Sequence, residues 1–389
     1  MIDWKATLAA LANEIEQRLD ATGRAAARLG ARAGLTGDPI VATVYRGFGT
    51  AERIHVKGRV LEDEGLAPVS DATTRWQNLV AALKRFESDE VPGARVRLSY
   101  AGRTTEVETD DEGYFEAWLA PSAVLTEAPR WRRVTAELVE PAGRAGTGFA
   151  IVPPESAGFG VISDLDDTVI RTDATSIVRM ARSTLFGNAR TRLPFPGVAA
   201  FYAALQGGAG GIAGNPIFYV SSSPWNLHDF LVEFLEVQRI PLGPLLLRDW
   251  GSSRESLLPL EHREHKGAAI RRVLETFPAL PFILIGDSGQ KDPEIYRDVM
   301  RAFPGRILAA YIRNVTPDPE RSTSLQALAA EVVADGGSLV IADDTLAAAR
   351  HAAAQGWITP ESVERVAEDK HADEPDDGGP VSPTVRVEG

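Results

Sequence analysis

The 389-residue chain contains no cysteine, which excludes disulfides, thiolate metal sites and a cysteine nucleophile together. It also lacks any apolar run near the ~20 residues that a membrane-spanning helix needs, because Gly, Pro or charge interrupts each long stretch. The opening residues Met1-Ile2-Asp3-Trp4-Lys5 lack the charged-then-apolar layout of a secretory leader, so a cytoplasmic location is expected. Positive charge is scarce: 41 Lys and Arg stand against 54 Asp and Glu, a net −13. Residues 361–389 hold nine acids and three bases, so about half of the imbalance sits in a C-terminal tail. This balance leaves no broad basic face for nucleic acid, although a local basic patch for anionic lipid is compatible with it. The hydrophobic (44%) and charged (24%) fractions are those of a soluble globular protein. The length calls for more than one folded unit.

What is present changes its grammar along the chain. Trp4, Leu8, Leu11, Ile15 and Leu19 recur at steps of three and four, which predicts an amphipathic helix within 1–36. Arg24, Arg28 and Arg32 share one face of it, a stripe that suits an anionic membrane surface or plain solvent. From Pro39 the period becomes two. Ile40–Tyr45, Ile54–Lys57, Ala94–Tyr100 and Tyr114–Leu119 read as strands, with one helical insert through Trp76, Leu79, Val80, Leu83 and Phe86. Residues 37–154 are thus expected to form a small antiparallel β-sandwich, loosely similar to transthyretin-like sandwiches. It contains no catalytic constellation, so a scaffold or partner-docking role is expected of it.

Over 155–360, apolar runs alternate with helical stretches: Phe159–Ser163, Ile217–Val220, Leu245–Leu247, Phe282–Ile285, Ile307–Ile312 and Leu339–Ile341. That alternation predicts an α/β unit with a Rossmann-like parallel sheet. The tail 361–389, acidic and containing Gly378-Gly379 and prolines, is expected to be disordered.

Active sites of such sheets form beyond the carboxyl ends of the strands. The first run leads into Asp164-Leu-Asp166-Asp167-Thr168, and the second into Ser221-Ser222-Ser223-Pro224-Trp225-Asn226. Lys266 precedes the fourth run and is read as opening a helix; the fourth run leads into Gly286-Asp287 with Asp292 beyond. A similar acid pair, Asp343-Asp344 before Thr345, lacks the one-residue gap and is read as helix capping.

The ordered set of four elements resembles the haloacid-dehalogenase-like superfamily of phosphotransferases. Its spelling, with Asp164-Leu-Asp-Asp-Thr-Val169, Tyr219-Val-Ser-Ser-Ser-Pro-Trp-Asn226, His265-Lys266 and Leu284-Ile-Gly-Asp-Ser-Gly-Gln-Lys-Asp-Pro-Glu-Ile-Tyr296, is similar to the catalytic domain of actin-patch-protein-type phosphatidate phosphatases, with lipins more distant. The resemblance implies that Asp164 is a nucleophile forming an aspartyl-phosphate and that Asp166 is the general acid and then base. It implies magnesium, held by the side chains of Asp164 and Asp287, the backbone carbonyl of Asp166 and, through water, Asp292. Ser221, with Ser222 as a competitor, and Lys266 would meet the phosphoryl oxygens. Thr168, Arg171, Ser223, Trp225, Asn226 and Arg248 are candidate substrate contacts, with ordinary packing an equal reading for Trp225; the His262–His265 cluster reads first as a solvated loop and second as a headgroup contact. The histidines are poor magnesium ligands, since that ion prefers oxygen.

The implied reaction removes phosphate from phosphatidate to give diacylglycerol. Other phosphomonoesters, such as phosphoprotein or nucleotide, and a non-catalytic adaptor role stay open as alternatives. Only 57 positions separate Asp164 from Ser221, which leaves little chain for a cap. An open site suits a membrane-presented substrate, so peripheral contact with an anionic membrane is expected.

Overall fold

The computed structural model describes residues 39–62, 90–123, 130–165, 196–248, 259–315 and 318–373, with only the backbone of 259–263. The helix expected within 1–36, the insert around Trp76–Phe86 and residues 374–389 lie outside these.

Strands β1 (Ile40–Val44), β2 (Gly47–Gly49), β3 (Ile54–Glu62), β4 (Arg95–Tyr100), β5 (Arg103–Glu108), β6 (Tyr114–Leu119), β7 (Trp131–Glu140) and β8 (Gly146–Ile151) form one sheet. On β4, Val96, Leu98 and Tyr100 point into a core that Val134 and Ala136 of β7 share, as the two-residue period of a strand requires. The expectation of an antiparallel arrangement needs one correction, since the sheet is mixed. The strands hydrogen-bond along one path, β1-β3-β2-β8-β7-β4-β5, with β6 on the other edge of β3, and the β2–β8 pair is parallel. Strand length explains this: nine-residue β3 serves two partners on one edge, β2 at Ile54–His55 and β1 at Gly58–Glu62.

The second sheet contains all six apolar runs, as β9 (Gly160–Asp164), β10 (Ile217–Pro224), β11 (Leu245–Arg248), β12 (Phe282–Asp287), β13 (Ile307–Arg313) and β14 (Leu339–Ala342). Every pairing in it is parallel, and the order is β11-β10-β9-β12-β13-β14. Helices α1 (Val198–Gly207), α2 (His228–Val237) and α6 (Thr345–Ala354) cover one face, with α7 (Pro360–Asp373) packed over α1 and α6. The other face is covered by α3 (Pro259–Thr276), α4 (Asp292–Ala302) and α5 (Pro319–Ala334). Burial on both faces is why these strands are continuous apolar runs rather than alternating ones.

Two expectations about helices are overturned. Lys266 does not open a helix, since α3 begins seven residues earlier at Pro259, and Pro is favoured in a first turn. The tail is not disordered from 361: α7 runs to Asp373, with Val366 fully buried. Its acids answer charge rather than solvent. Asp373 Oδ2 accepts from the Gly197 N–H (3.0 Å) and Asp369 Oδ2 from the Ala200 N–H (3.1 Å), so two carboxylates complement the N-terminus of α1. The capping reading of Asp344 agrees with the structure, where its side chain accepts from the Ala347 N–H at 2.7 Å.

The two sheets share their cores. Tyr45 and Tyr114 join the cluster on one face of the parallel sheet, and Phe48 and Ile151 join the other. Phe48 meets Phe218 edge-on at 5.6 Å, and burial of a side chain of this size contributes roughly 1.5–3 kcal/mol. Glu116 adds a polar tie, with Oε1 2.6 Å from His55 Nε2 and accepting from Arg272 Nη1 of α3 at 2.9 Å. The hydrogen bond from His55 outweighs burial and holds this carboxyl down to about 2, against 4.5 for an ordinary Glu. A depressed folded-state value makes the contribution complete above the ordinary value and lost as pH falls through the folded one. Thermal melts of the wild type and Glu116→Gln should therefore differ fully above about pH 5 and converge as pH falls towards about 2. A gap that widens on acidification would show that the tie is not ionic.

Candidate active site

Strand register assembles the site. Val220 pairs with Asp164, and Ile285 with Ser163, so the ends of β9, β10 and β12 finish level on one rim. Strand order reverses at β9, with β10 on one side and β12 on the other, which is where a crevice opens in a doubly wound sheet. Asp164 and Asp287 end their strands there, and Ser221 opens the irregular last stretch of β10.

Asp164, Asp287 and Asp292 are buried, and one carboxylate oxygen from each lies within 4.8 Å of the others. Lys266, from the middle of α3 and also buried, joins them. Its Nζ lies 2.8 Å from Asp164 Oδ1 and 2.9 Å from both Asp292 Oδ1 and Gln290 Oε1. Asp292 turns its second oxygen to the Asp287 N–H at 3.3 Å. This close passage is why residue 286 is glycine: a Cβ there would stand 2.5 Å from Asp292 Oδ2 and 2.8 Å from the Tyr296 hydroxyl. Asp287 Oδ1 accepts from the N–H groups of Gly289 (2.5 Å) and Gln290 (3.1 Å), closing the turn into α4. Tyr296, buried beneath, donates to Ile285 O at 2.8 Å. Burial and then the neighbouring Asp292, Asp164 and Asp287 push its phenol well up, so it stays a neutral donor.

Sequence reasoning missed the side chain that braces this turn from outside. Arg321 of α5 donates from Nε to Ser288 O (2.9 Å) and from Nη2 to Gln290 O (2.9 Å), and it forks onto Glu294. Nothing in the local pattern around Arg321 marks it, because its partners are 27 to 33 positions away. Ser163 was missed too: its hydroxyl donates to Asp164 O at 2.8 Å and lies 2.6 Å from the buried Tyr202 hydroxyl, fixing the end of β9 from below.

Of the residues singled out from sequence, Asp164, Lys266, Asp287 and Asp292 converge. Ser221 is fully buried at the same rim, where its Oγ accepts from the Ser223 N–H at 2.9 Å and tightens the turn. Ser222 is half-buried beside it, and Arg248 is buried at the end of β11, in register with Pro224. Asp166, Thr168, Arg171 and the His262 side chain lie outside the described residues.

Two candidate substrate contacts are differently engaged. Trp225 is 9% exposed and stacks on Tyr45 at 5.0 Å and 15°, so its ring is spent on packing. Asn226 Oδ1 accepts from Arg59 Nη1 (3.1 Å) and the Tyr114 hydroxyl (2.9 Å), both of the first sheet.

Residues 159–314 match the family described as "Phosphatidate phosphatase APP1, catalytic domain". Phosphatidate phosphatase APP1 of Saccharomyces cerevisiae is 33% identical over 156 residues, 40% of this chain and 26% of that protein. An uncharacterized protein of Schizosaccharomyces pombe is 28% identical over 164 residues, 41% of this chain and again 26% of its own length. The chain thus matches about a quarter of the length of each of these relatives. Among solved structures, the carbohydrate acetylesterase XAC1771 of Xanthomonas citri covers 74% of this chain and 73% of its own, at 14% identity and a TM-score of 0.24, too low to bear on fold or activity.

Proposed function

We propose, on the match of residues 159–314 to the catalytic domain of phosphatidate phosphatase APP1, that the chain is a phosphoric monoester hydrolase that cleaves phosphatidate to diacylglycerol and phosphate. The observation that carries this reading is the ammonium of Lys266 held between Asp164 and Asp292 on the rim where the strand order reverses. A carboxylate so placed is a nucleophile with a counter-charge beside it.

The donor set also fits a divalent cation. Three buried carboxylates lie within 4.8 Å of one another, and one ammonium pairs with only Asp164 and Asp292, which leaves an excess of negative charge that a buried site does not tolerate alone. All the ligands are hard oxygens, the choice of magnesium. Asp164 and Asp287 would hold it, together with the Asp166 carbonyl and, through water, Asp292. When bound, it supplies the positive charge that lets an anionic phosphate enter among carboxylates.

In the proposed reaction an Asp164 oxygen attacks phosphorus, and the bond to the ester oxygen breaks. Asp166 gives the leaving oxygen its proton, so diacylglycerol departs neutral and the phosphoryl group stays on Asp164. Asp166 then takes a proton from water, whose oxygen attacks phosphorus and releases phosphate with Asp164 restored. Lys266 offsets negative charge at Asp164 and the phosphoryl oxygens, while Ser221 and the N–H groups of its turn orient those oxygens. The lipid would be met at a membrane surface; among the described residues no helix is long and apolar enough to cross one.

The test is phosphate release from phosphatidate in mixed micelles, with magnesium or EDTA, beside p-nitrophenyl phosphate. Magnesium-dependent release from the lipid is expected. Release from the soluble ester alone would retain the phosphatase and remove the lipid. Turnover of neither would remove phosphatidate as substrate and leave another phosphomonoester, such as phosphoprotein, or an adaptor role without chemistry.

A further inference from the structure

The turn after β10 is held from outside its own sheet. Arg59 of β3, only 4% exposed, spends each arm of its guanidinium on a different partner. Its Nε donates to Glu112 O (2.9 Å), Nη2 to Glu90 Oε1 (3.0 Å) and Nη1 to Asn226 Oδ1 (3.1 Å). Tyr114 donates to the same Asn226 oxygen, and the Arg59 guanidinium carbon lies 4.4 Å from the Tyr114 ring centroid. Lys57 Nζ stands over two rings, 4.8 Å from that of Tyr114 and 4.9 Å from that of Trp225. Tyr45 covers Trp225 on one side and meets the His228 ring at 4.1 Å. Trp225, Asn226 and His228 are thus all held by side chains of the first sheet and of its β1–β2 link.

Only Pro224 separates this gripped segment from Ser221–Ser223. Its ring restricts φ, here −70°, so it is a stiff link. Such a link couples Asn226 to the irregular end of β10, where the Ser223 N–H donates to Ser221 Oγ. Cohesion of the two sheets does not need this arrangement, since Phe48, Ile151, Tyr45 and Tyr114 already join their cores. A buried, forked cation is a costly way to add cohesion but a good way to specify one geometry.

We propose that the first sheet is a positioning device for the phosphate-binding turn, with Arg59 and Tyr114 acting as positioning residues through Asn226. The kinetic consequence rests on the phosphatase reading; the mechanical one does not. Asn226 is then a strut whose carboxamide oxygen faces the first sheet, rather than a contact to the substrate.

The deciding comparison uses the full chain and four variants. Arg59→Met and Asn226→Leu remove the strut. Asn226→Asp keeps the accepting oxygen, so Arg59 and Tyr114 still have a partner. Glu116→Gln loosens the same inter-sheet contact away from the turn. Hydrogen exchange at the amides of 221–228 should quicken in Arg59→Met and Asn226→Leu, and stay as in the wild type in the other two. KM for the turned-over ester and the inhibition constant of inorganic phosphate should rise together by about tenfold in the first two, with kcat changed less, about 1.4 kcal/mol of lost binding. Were Asn226 a direct phosphate contact, Asn226→Asp would be the worst variant through charge repulsion, and the proposal would be wrong. Equal effects of Arg59→Met and Glu116→Gln would reduce the contact to cohesion and also overturn it. If the wild type turns over neither ester, the phosphatidate reading falls separately; unchanged exchange at 221–228 in Arg59→Met would then still overturn the clamp.

Discussion

Asp164→Asn should leave a folded protein that has lost on the order of 10⁴-fold or more of its turnover, the scale seen when a catalytic nucleophile is removed. The two properties separate because of where Asp164 sits. An asparagine has the same shape and retains an oxygen to accept from Lys266 Nζ, which now stands 2.8 Å from Asp164 Oδ1. It also removes one of three buried negative charges that lie within 4.8 Å of one another. Melting temperature should accordingly hold or rise, as often happens when a site built for chemistry is relieved of its strain. Circular dichroism melts beside phosphate-release assays read both quantities on the same preparation. Residual turnover above a few per cent would remove Asp164 from the nucleophile's place. A collapse in melting temperature would mean that its charge is structural.

Lys266→Met should fail on both counts. Its ammonium touches Asp164, Asp292 and Gln290 at 2.8–2.9 Å with almost no exposure. Removing it leaves buried carboxylates uncompensated, a defect of about 3–5 kcal/mol. In a unit of this size that lowers the melting temperature by about 10 °C. Turnover should fall about 10²–10³-fold if, as proposed, this charge is aimed at the phosphoryl group. The sharper check is the double variant Lys266→Met/Asp292→Asn. If the damage is an unpaired charge, removing that carboxylate should recover part of the stability, so the two substitutions will not add. Additive losses would mean that the lysine matters for packing along α3 instead.

The parallel sheet and the rim residues could be read before any coordinates. Six apolar runs separated by helical stretches admit few arrangements once both faces must be covered, and all six became strands of one sheet. Asp164 and Asp287 could be placed because each directly ends an apolar run, and a strand end is a local property of the chain. Lys266 stands in a local motif, but its place in mid-helix follows from a start at Pro259, a first-turn signal seven residues earlier that the motif itself does not include. The tail failed for a related reason. Its acids look like solvated charge until the N-terminus of α1, more than 160 positions earlier, is brought alongside Asp369 and Asp373.

The amino-acid sequence by itself determined which groups could do chemistry and at which strand ends they stand, because residue type and two-residue or 3.6-residue periodicity are written locally. Tertiary structure alone decided what each of those groups faces. Asp292 turns to Lys266 and the Asp287 N–H, Arg321 reaches back to Ser288 and Gln290, and Asn226 is occupied by Arg59 and Tyr114. A hydrogen bond acts over about 3 Å whatever the separation along the chain, so partners 26 or 167 positions apart leave no trace in local pattern.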